Sequence, residues 1–287
     1  MKTCIICIAK NEHNYIDEWI NWHLNLGFDN IIICDNDWKD NQYISKDERV
    51  IVKDYSKYIN LQPIAYTQEY NINKDNYDWI AFIDCDEFII LEDKYKTIKD
   101  FISDDIFKDA DIIRLHWKIF CGGKELDVKD NDYSVMNRFK ERYPMEHEKW
   151  SKSIIKTSSV ILKEGEKIVH SGYFYNKELK AVNTLGEKCL NEWCTADEIP
   201  IYKNAWINHY PTKTIGEFIK QKYFRGGANL NNNRYRTLDY FFMYNPYDKE
   251  LEEYGKKLIS KLYVQPKEIK KDIYISLKFD EKTKRFK

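Results

Sequence analysis

Read as a pattern of apolar and polar positions, the chain opens on an almost unbroken apolar stretch from Thr3 to Ala9, which suits a strand buried on both faces. From Asp17 to Leu26 the residues Trp19, Ile20, Leu24 and Leu26 give an amphipathic helical pattern, and Gly27 follows where a left-handed cap ends such a helix. Asn30 to Cys34 is a second strand-like run and Arg49 to Val52 a short third one. Leu61 to Asn73 reads as a helix and Trp79 to Ile83 as a fourth strand. This alternation predicts an α/β fold, a Rossmann-like and mostly parallel sheet flanked by helices with right-handed crossovers. Strands are also predicted at Asp111 to Trp117 and Ser153 to Leu162. The polar and aromatic stretch between them, around Tyr133 to Trp150, has the length of a binding loop or lid. Thr214 and Glu217 form a capping-box pair that starts a helix with Ile215, Phe218, Ile219 and Lys222, ended by Gly226 and Gly227. A last helix, Lys249 to Leu262, aligns Leu251, Tyr254, Leu258 and Leu262. Residues 1–212 are therefore read as the main domain, and 213–287 as a C-terminal helical extension packed on it.

Composition narrows the partners. The 287 residues suffice for one large domain with an appendage, and 46 Lys and Arg against 47 Asp and Glu leave a net charge of -1. That charge offers no global field for a nucleic-acid backbone, so no nucleic acid is expected. No stretch approaches the roughly 20 apolar residues that span a bilayer, and Met1 to Ala9 is too short for a signal peptide, so a cytoplasmic location is expected. From Lys249 onward 12 Lys and Arg stand against 7 acids. Such a segment can make peripheral contact with anionic lipid at the inner face of the membrane, although a solvated Lys-rich helix face is the commoner meaning. Seven cysteines sit mostly in apolar runs, as Cys4, Cys7, Cys34 and Cys85 do, and are read as reduced core residues. Cys4 and Cys7 have C-x-x-C spacing, but residues three apart on a strand face opposite sides.

In a parallel α/β sheet, ligands bind beyond the carboxyl ends of the strands. Here the first strand ends in Lys10, Asn11 and Glu12, the second in Asp35, Asn36 and Asp37, and the fourth in Asp84, Cys85, Asp86 and Glu87. Asp84 and Asp86, separated by one residue after a buried strand, can converge on one hard cation. A lone D-x-D is commonly a solvated turn; the strand-end position is what favours function here. Asp35 is placed to hydrogen-bond a ribose or a base edge, whereas Asp37 and Asp40 read as turn formers. His23 shares a helix face with Trp19 and reads as a packed structural residue. His209, after A-W-I-N, reads from spacing alone as a core histidine at a strand end, and His170, similarly placed after an apolar run, is a runner-up ligand. The charges of Lys222 and Arg225 read from spacing alone as the polar face of a helix.

Taken together, I-A-K-N-E, then E-W-I-N-W-H-L-N-L-G-F-D-N-I-I-I-C-D-N-D, then W-I-A-F-I-D-C-D-E-F resemble bacterial glycosyltransferases of the family 2 type and the related family 92 group, over roughly residues 3–90. N-H-Y-P-T-K-T-I-G-E-F-I-K-Q-K-Y-F-R-G-G is similar to the C-terminal signature of the same group. The resemblance implies a GT-A fold in which Mn2+ or Mg2+ bridges the D-x-D and a nucleotide diphosphate sugar, typically a UDP-sugar. Carried over by position, Asp86 is the main metal ligand, Asp84 contacts the metal or the ribose, and His209 is a further ligand. Lys10, Asn11, Glu12 and Asp35 line the nucleotide pocket, while Lys222 and Arg225 neutralise the diphosphate. The acceptor implied is an oligosaccharide or lipid-linked saccharide, in bacterial surface polysaccharide or lipopolysaccharide synthesis. An inverting transfer needs one base on the acceptor hydroxyl, and Glu146 and Glu148 of M-E-H-E-K-W in the central loop are the candidates. Around that loop Trp117, Tyr133, Tyr143 and Trp150 could stack on acceptor sugars.

Two other classes fit parts of the pattern. A metal-dependent nucleotidyl or phosphoryl transferase would use the same acids, but no G-x-x-x-x-G-K-[ST] loop occurs. A non-catalytic carbohydrate-binding scaffold would keep its partner after losing the acids.

Overall fold

The computed structural model describes residues 1–37, 43–56, 62–143, 146–168, 179–189, 199–224 and 236–262, together with two short strand segments at 279–280 and 285–286. The elements that matter run in chain order: β1 (Thr3–Ala9), α1 (Ile16–Asn25), β2 (Asn30–Asp35), β3 (Val50–Asp54), α2 (Gln62–Asn73), β4 (Trp79–Phe82), β5 (Glu87–Leu91), α3 (Ile98–Ile102), β6 (Ile112–Ile119), α4 (Val135–Arg138), β7 (Ser151–Lys156), β8 (Ala181–Val182), β9 (Ala205–His209), α5 (Ile215–Phe218), α6 (Leu238–Met243) and α7 (Lys249–Leu262). The main sheet is ordered β3-β2-β1-β4-β7-β6-β9-β5, with β8 beside β6. Pairs β1–β2, β2–β3, β1–β4, β6–β8 and β6–β9 are parallel, while β4–β7, β6–β7 and β5–β9 are antiparallel. It is an α/β fold with a mostly parallel sheet and helices packed on it.

The apolar runs explain the layers. Alternate residues of β1 point to opposite faces, so Ile5, Cys7 and Ala9 join one core and Cys4 and Ile6 the other. The C-x-x-C pair is thus split between two layers. Gly27 ends α1 at φ +100, with Thr97 packed so close that an added Cβ would lie 3.0 Å from it. Strand β7 is shorter than the pattern Ser153 to Leu162 predicts, because the chain turns at residues 157–159, where T-S-S stands. The C-terminal segment builds a third cluster from Ile215, Phe218, Ile219, Phe241 and Leu251. Its capping box forms as the sequence predicts, with Thr214 and Glu217 exchanging hydrogen bonds, and α5 then widens into a π turn over Ile219–Tyr223. Among the described residues no helix is long and apolar enough to cross a membrane.

Register places the informative strand ends together. Ala9 is level with Asp35 in the β1–β2 pair, and β1 runs parallel to β4 on its other side. The segments after β1, β2 and β4 therefore leave the sheet at one edge. After the corner at Asp84, β5 returns antiparallel to β9, which brings His209 to the same place.

Candidate active site

Asp84 and Asp86 are two positions apart and occupy different surroundings. Asp84 Oδ2 accepts from Lys152 Nζ at 2.7 Å, and its Oδ1 accepts from Gln62 Nε2 at 2.6 Å and the Tyr66 hydroxyl at 3.3 Å. Asp86 Oδ2 accepts from Lys222 Nζ, which also donates to the Pro211 carbonyl at 2.7 Å. The other oxygen of Asp86 lies 3.8 Å from His209 Nε2. Glu87 is fully buried; its Oε2 accepts from the Asp84 amide at 2.9 Å, and its Oε1 lies 3.4 Å from Lys152 Nζ.

Glu87 opens β5 directly opposite His209 at the end of β9, so both side chains leave the sheet on one face. With Asp86 they place three ligand atoms within 4.8 Å of one another, all on buried residues. Two carboxylates and an imidazole suit a divalent ion such as Mg2+ or Mn2+. Glu87 Oε1, 3.4 Å from Lys152 Nζ, and His209 Nδ1 each lack a hydrogen-bond partner among the described residues. The Trp117 ring lies 4.3 Å from the imidazole, centre to centre, and gives it an apolar wall.

Burial and charge set the protonation states. Burial pushes His209 down to about 3, which leaves a neutral imidazole with an available lone pair at pH 7. Burial pushes the Glu87 carboxyl up. It acts upward on Asp86 too, but Lys222, His209 and Lys213 together outweigh it and hold that carboxyl below the usual range. Burial lowers Lys222 to about 8 against the attraction of Asp86. For Lys152 burial is overcome by Asp84 and Glu87, and its value rises.

The ends of β1 and β2 form a second wall. Asn11 takes a left-handed conformation at φ 57, and its amide donates to both oxygens of Asp37, at 2.9 and 3.0 Å. Its carbonyl accepts from Gln221 Nε2 at 3.0 Å, which ties this loop to the π turn carrying Lys222. Lys10 Nζ donates to Asn36 Oδ1 at 3.4 Å. Asp35 is buried and caps its own loop, accepting from the amides of Asp37 at 2.9 Å and Tyr43 at 2.6 Å. Glu12 is buried with Oε2 at 3.9 Å from Lys213 Nζ. Asp37, expected to be a turn former, also has His13 Nε2 at 3.3 Å from its Oδ2.

Other residues singled out in the sequence lie elsewhere. Glu148 is buried, and both its oxygens are engaged: Oε1 accepts from the Ile119 amide at 2.9 Å and from Arg142 at 2.8 Å, Oε2 from Arg142 at 3.0 Å and the Tyr202 hydroxyl at 2.8 Å. The Glu146 side chain, Asp40, His170 and Arg225 lie outside the described residues. His23 is a core residue, with Nδ1 2.8 Å from the Trp19 carbonyl and Nε2 accepting from the Ile89 amide at 3.2 Å. Several residues of the site were not picked out from the sequence, among them Lys152, which pairs with Asp84 and Glu87. Glu87 was read only as the tail of D-x-D-E, although it opens the strand E-F-I-I-L, and Lys213 stood unmarked beside the capping box.

Comparison with known proteins decides the class. The chain matches glycosyltransferase family 92 over residues 3–185, more than half its length. It belongs to that family. The family 92 member described here is accordingly a glycosyltransferase, and the phosphoryl-transferase and scaffold readings fall away. Among solved structures, S. aureus TarS 1-349 shares 12% identity over 90% of this chain and 71% of that one, with a TM-score of 0.35. The same protein in complex with UDP shares 11% over 91% of this chain and 71% of that one, also with a TM-score of 0.35. No curated protein matches the chain.

Proposed function

We propose that this family 92 protein is a metal-dependent, GT-A-type transferase that moves a sugar from a UDP-linked donor to a saccharide hydroxyl. The observation that carries this reading is the convergence of Asp86, Glu87 and His209 at the sheet edge where β1, β2 and β4 end. Asp86, Glu87 and His209 would hold the ion, and Asp84, braced by Lys152, Gln62 and Tyr66, would shape the corner. A bound Mn2+ or Mg2+ would supply charge to offset the leaving diphosphate. Lys222, paired with Asp86, would add a second positive charge, and the wall formed by residues 10–12 and 35–37 would take the nucleoside. Glu148 is fully hydrogen-bonded, so the reading does not rest on it as the base. Inversion at the anomeric carbon, and an acceptor belonging to a surface polysaccharide or lipopolysaccharide, are carried by the family resemblance.

Calorimetric titration of UDP, with and without Mn2+, on the unsubstituted protein and on Asp86→Ala tests the reading. Metal-dependent binding that disappears in the variant is expected. Absence of UDP binding in either condition would remove the donor assignment.

A further inference from the structure

Lys213 is 1% exposed, yet among the described residues its ammonium finds no hydrogen-bond acceptor. Its nearest charged neighbour is Glu12 Oε2 at 3.9 Å, and its Nζ sits 4.3 Å from the centre of the Tyr15 ring. Tyr15 donates its own hydroxyl to Glu217 at 2.8 Å, so the phenol oxygen is already engaged. A buried ammonium without an acceptor is costly, and the backbone beneath it is held in an equally unfavourable state. Lys213 has φ 56, a left-handed conformation that lysine rarely adopts. Gly122 packs directly against its carbonyl, where a Cβ would lie 1.9 Å from the oxygen. Two independent features therefore fix the backbone at Lys213, whose side chain is buried instead of reaching water.

The position explains what it could meet. Lys213 follows His209 by four residues, and its charge is felt by both Asp86 and Lys222. Glu12 follows the end of β1, so the ammonium lies beside the wall proposed to take the nucleoside and within electrostatic reach of Asp86. We infer that Lys213 is a binding residue for the diphosphate of the donor, giving the anion a second ammonium beside Lys222 while the acid cluster takes the cation. This rests on the donor reading above. An anionic oxygen arriving at Nζ would supply the missing acceptor.

The test compares UDP, UMP and uridine, titrated calorimetrically with Mn2+ into the whole protein and into Lys213→Met and Lys213→Arg, with thermal melts to confirm folding. Loss of one charge-assisted hydrogen bond corresponds to about 10- to 100-fold in affinity. Lys213→Met is expected to lose that much for UDP, less for UMP and little for uridine, with Lys213→Arg recovering part of the UDP loss. Unchanged UDP affinity in a folded Lys213→Met, or equal losses for all three ligands, would overturn the role of Lys213 and leave the donor reading standing. If the unsubstituted protein itself fails to bind UDP, the donor reading falls and this inference with it.

Discussion

Glu87 faces His209 across the β5–β9 pair, and Asp86, one residue earlier, completes a buried trio, while Asp84 is held by Lys152, whose ammonium also lies 3.4 Å from Glu87. The neighbouring aspartates therefore sit in different surroundings.

Manganese affinity should separate them. Asp86→Asn and His209→Ala each remove a proposed ligand of the trio and are expected to weaken Mn2+ binding at least about tenfold, the scale on which even outer-shell partners act. Asp84→Asn keeps its shape and is expected to change Mn2+ affinity much less. Mn2+ titration followed by electron paramagnetic resonance reads this directly; equal losses for Asp84→Asn and Asp86→Asn would show that Asp84 is itself a ligand.

Glu148 provides a contrast between bracing and chemistry. It satisfies the Ile119 amide, Arg142 and the Tyr202 hydroxyl together. Glu148→Gln is expected to cost stability of about 1–3 kcal/mol, because buried donors lose their charged acceptor. UDP affinity in Mn2+ should stay close to that of the parent. A folded variant of unchanged stability but abolished sugar transfer would instead make Glu148 the base.

Acid sensitivity follows from three buried histidines. Burial pushes His23 and His209 down to about 3 and His116 to about 4. The unfolded chain takes up these protons near pH 6.5, whereas the folded chain refuses them, so stability is lost as pH falls below that value. Each contributes up to about 1.4 kcal/mol per pH unit over this window. Urea unfolding at pH 7, 6 and 5 is expected to show a progressively lower midpoint between pH 6.5 and 5, with the three histidines outweighing the Glu87 carboxyl, which burial raises and which works in the opposite sense. A flat profile there would mean the three rings can be protonated in place.

Gly122 is predicted to tolerate no side chain. In Gly122→Ala the new Cβ would meet the Lys213 carbonyl oxygen at 1.9 Å and its carbon at 2.7 Å, both backbone atoms that cannot rotate aside. The expected cost is about 1–3 kcal/mol, typical of overpacking, with UDP affinity falling as Lys213 is displaced. A melting temperature equal to that of the parent would show that the two segments separate easily.

The sequence disclosed the half of the site that is local. Thr3 to Ala9, Asn30 to Cys34 and Trp79 to Ile83 are apolar enough to read as buried parallel strands, and their order alone puts K-N-E, D-N-D and D-C-D-E at one edge. What it did not disclose depends on pairings between distant segments. Glu87 becomes part of a ligand cluster only because β5 pairs with β9, more than a hundred residues later, and no periodicity announces such a pair. Lys213 is similar: nothing in P-T-K-T tells that Gly122 will fix its backbone or that its ammonium will be buried. Glu148 looked available because it stands in a polar stretch, and only the fold brings Arg142, Tyr202 and the Ile119 amide onto it.

The ion pair between Asp86 and Lys222 joins residues 136 positions apart, and the Gln221 contact to Asn11 spans 210. A chain growing from its N-terminus completes the acid corner long before its balancing ammonium groups have been made. Until they arrive, Asp86 can avoid an uncompensated buried charge by staying in contact with water or by taking up a proton. The segment that begins with Lys213 therefore supplies, late in the chain, the positive charge against which the Asp86 carboxylate is buried in the finished fold.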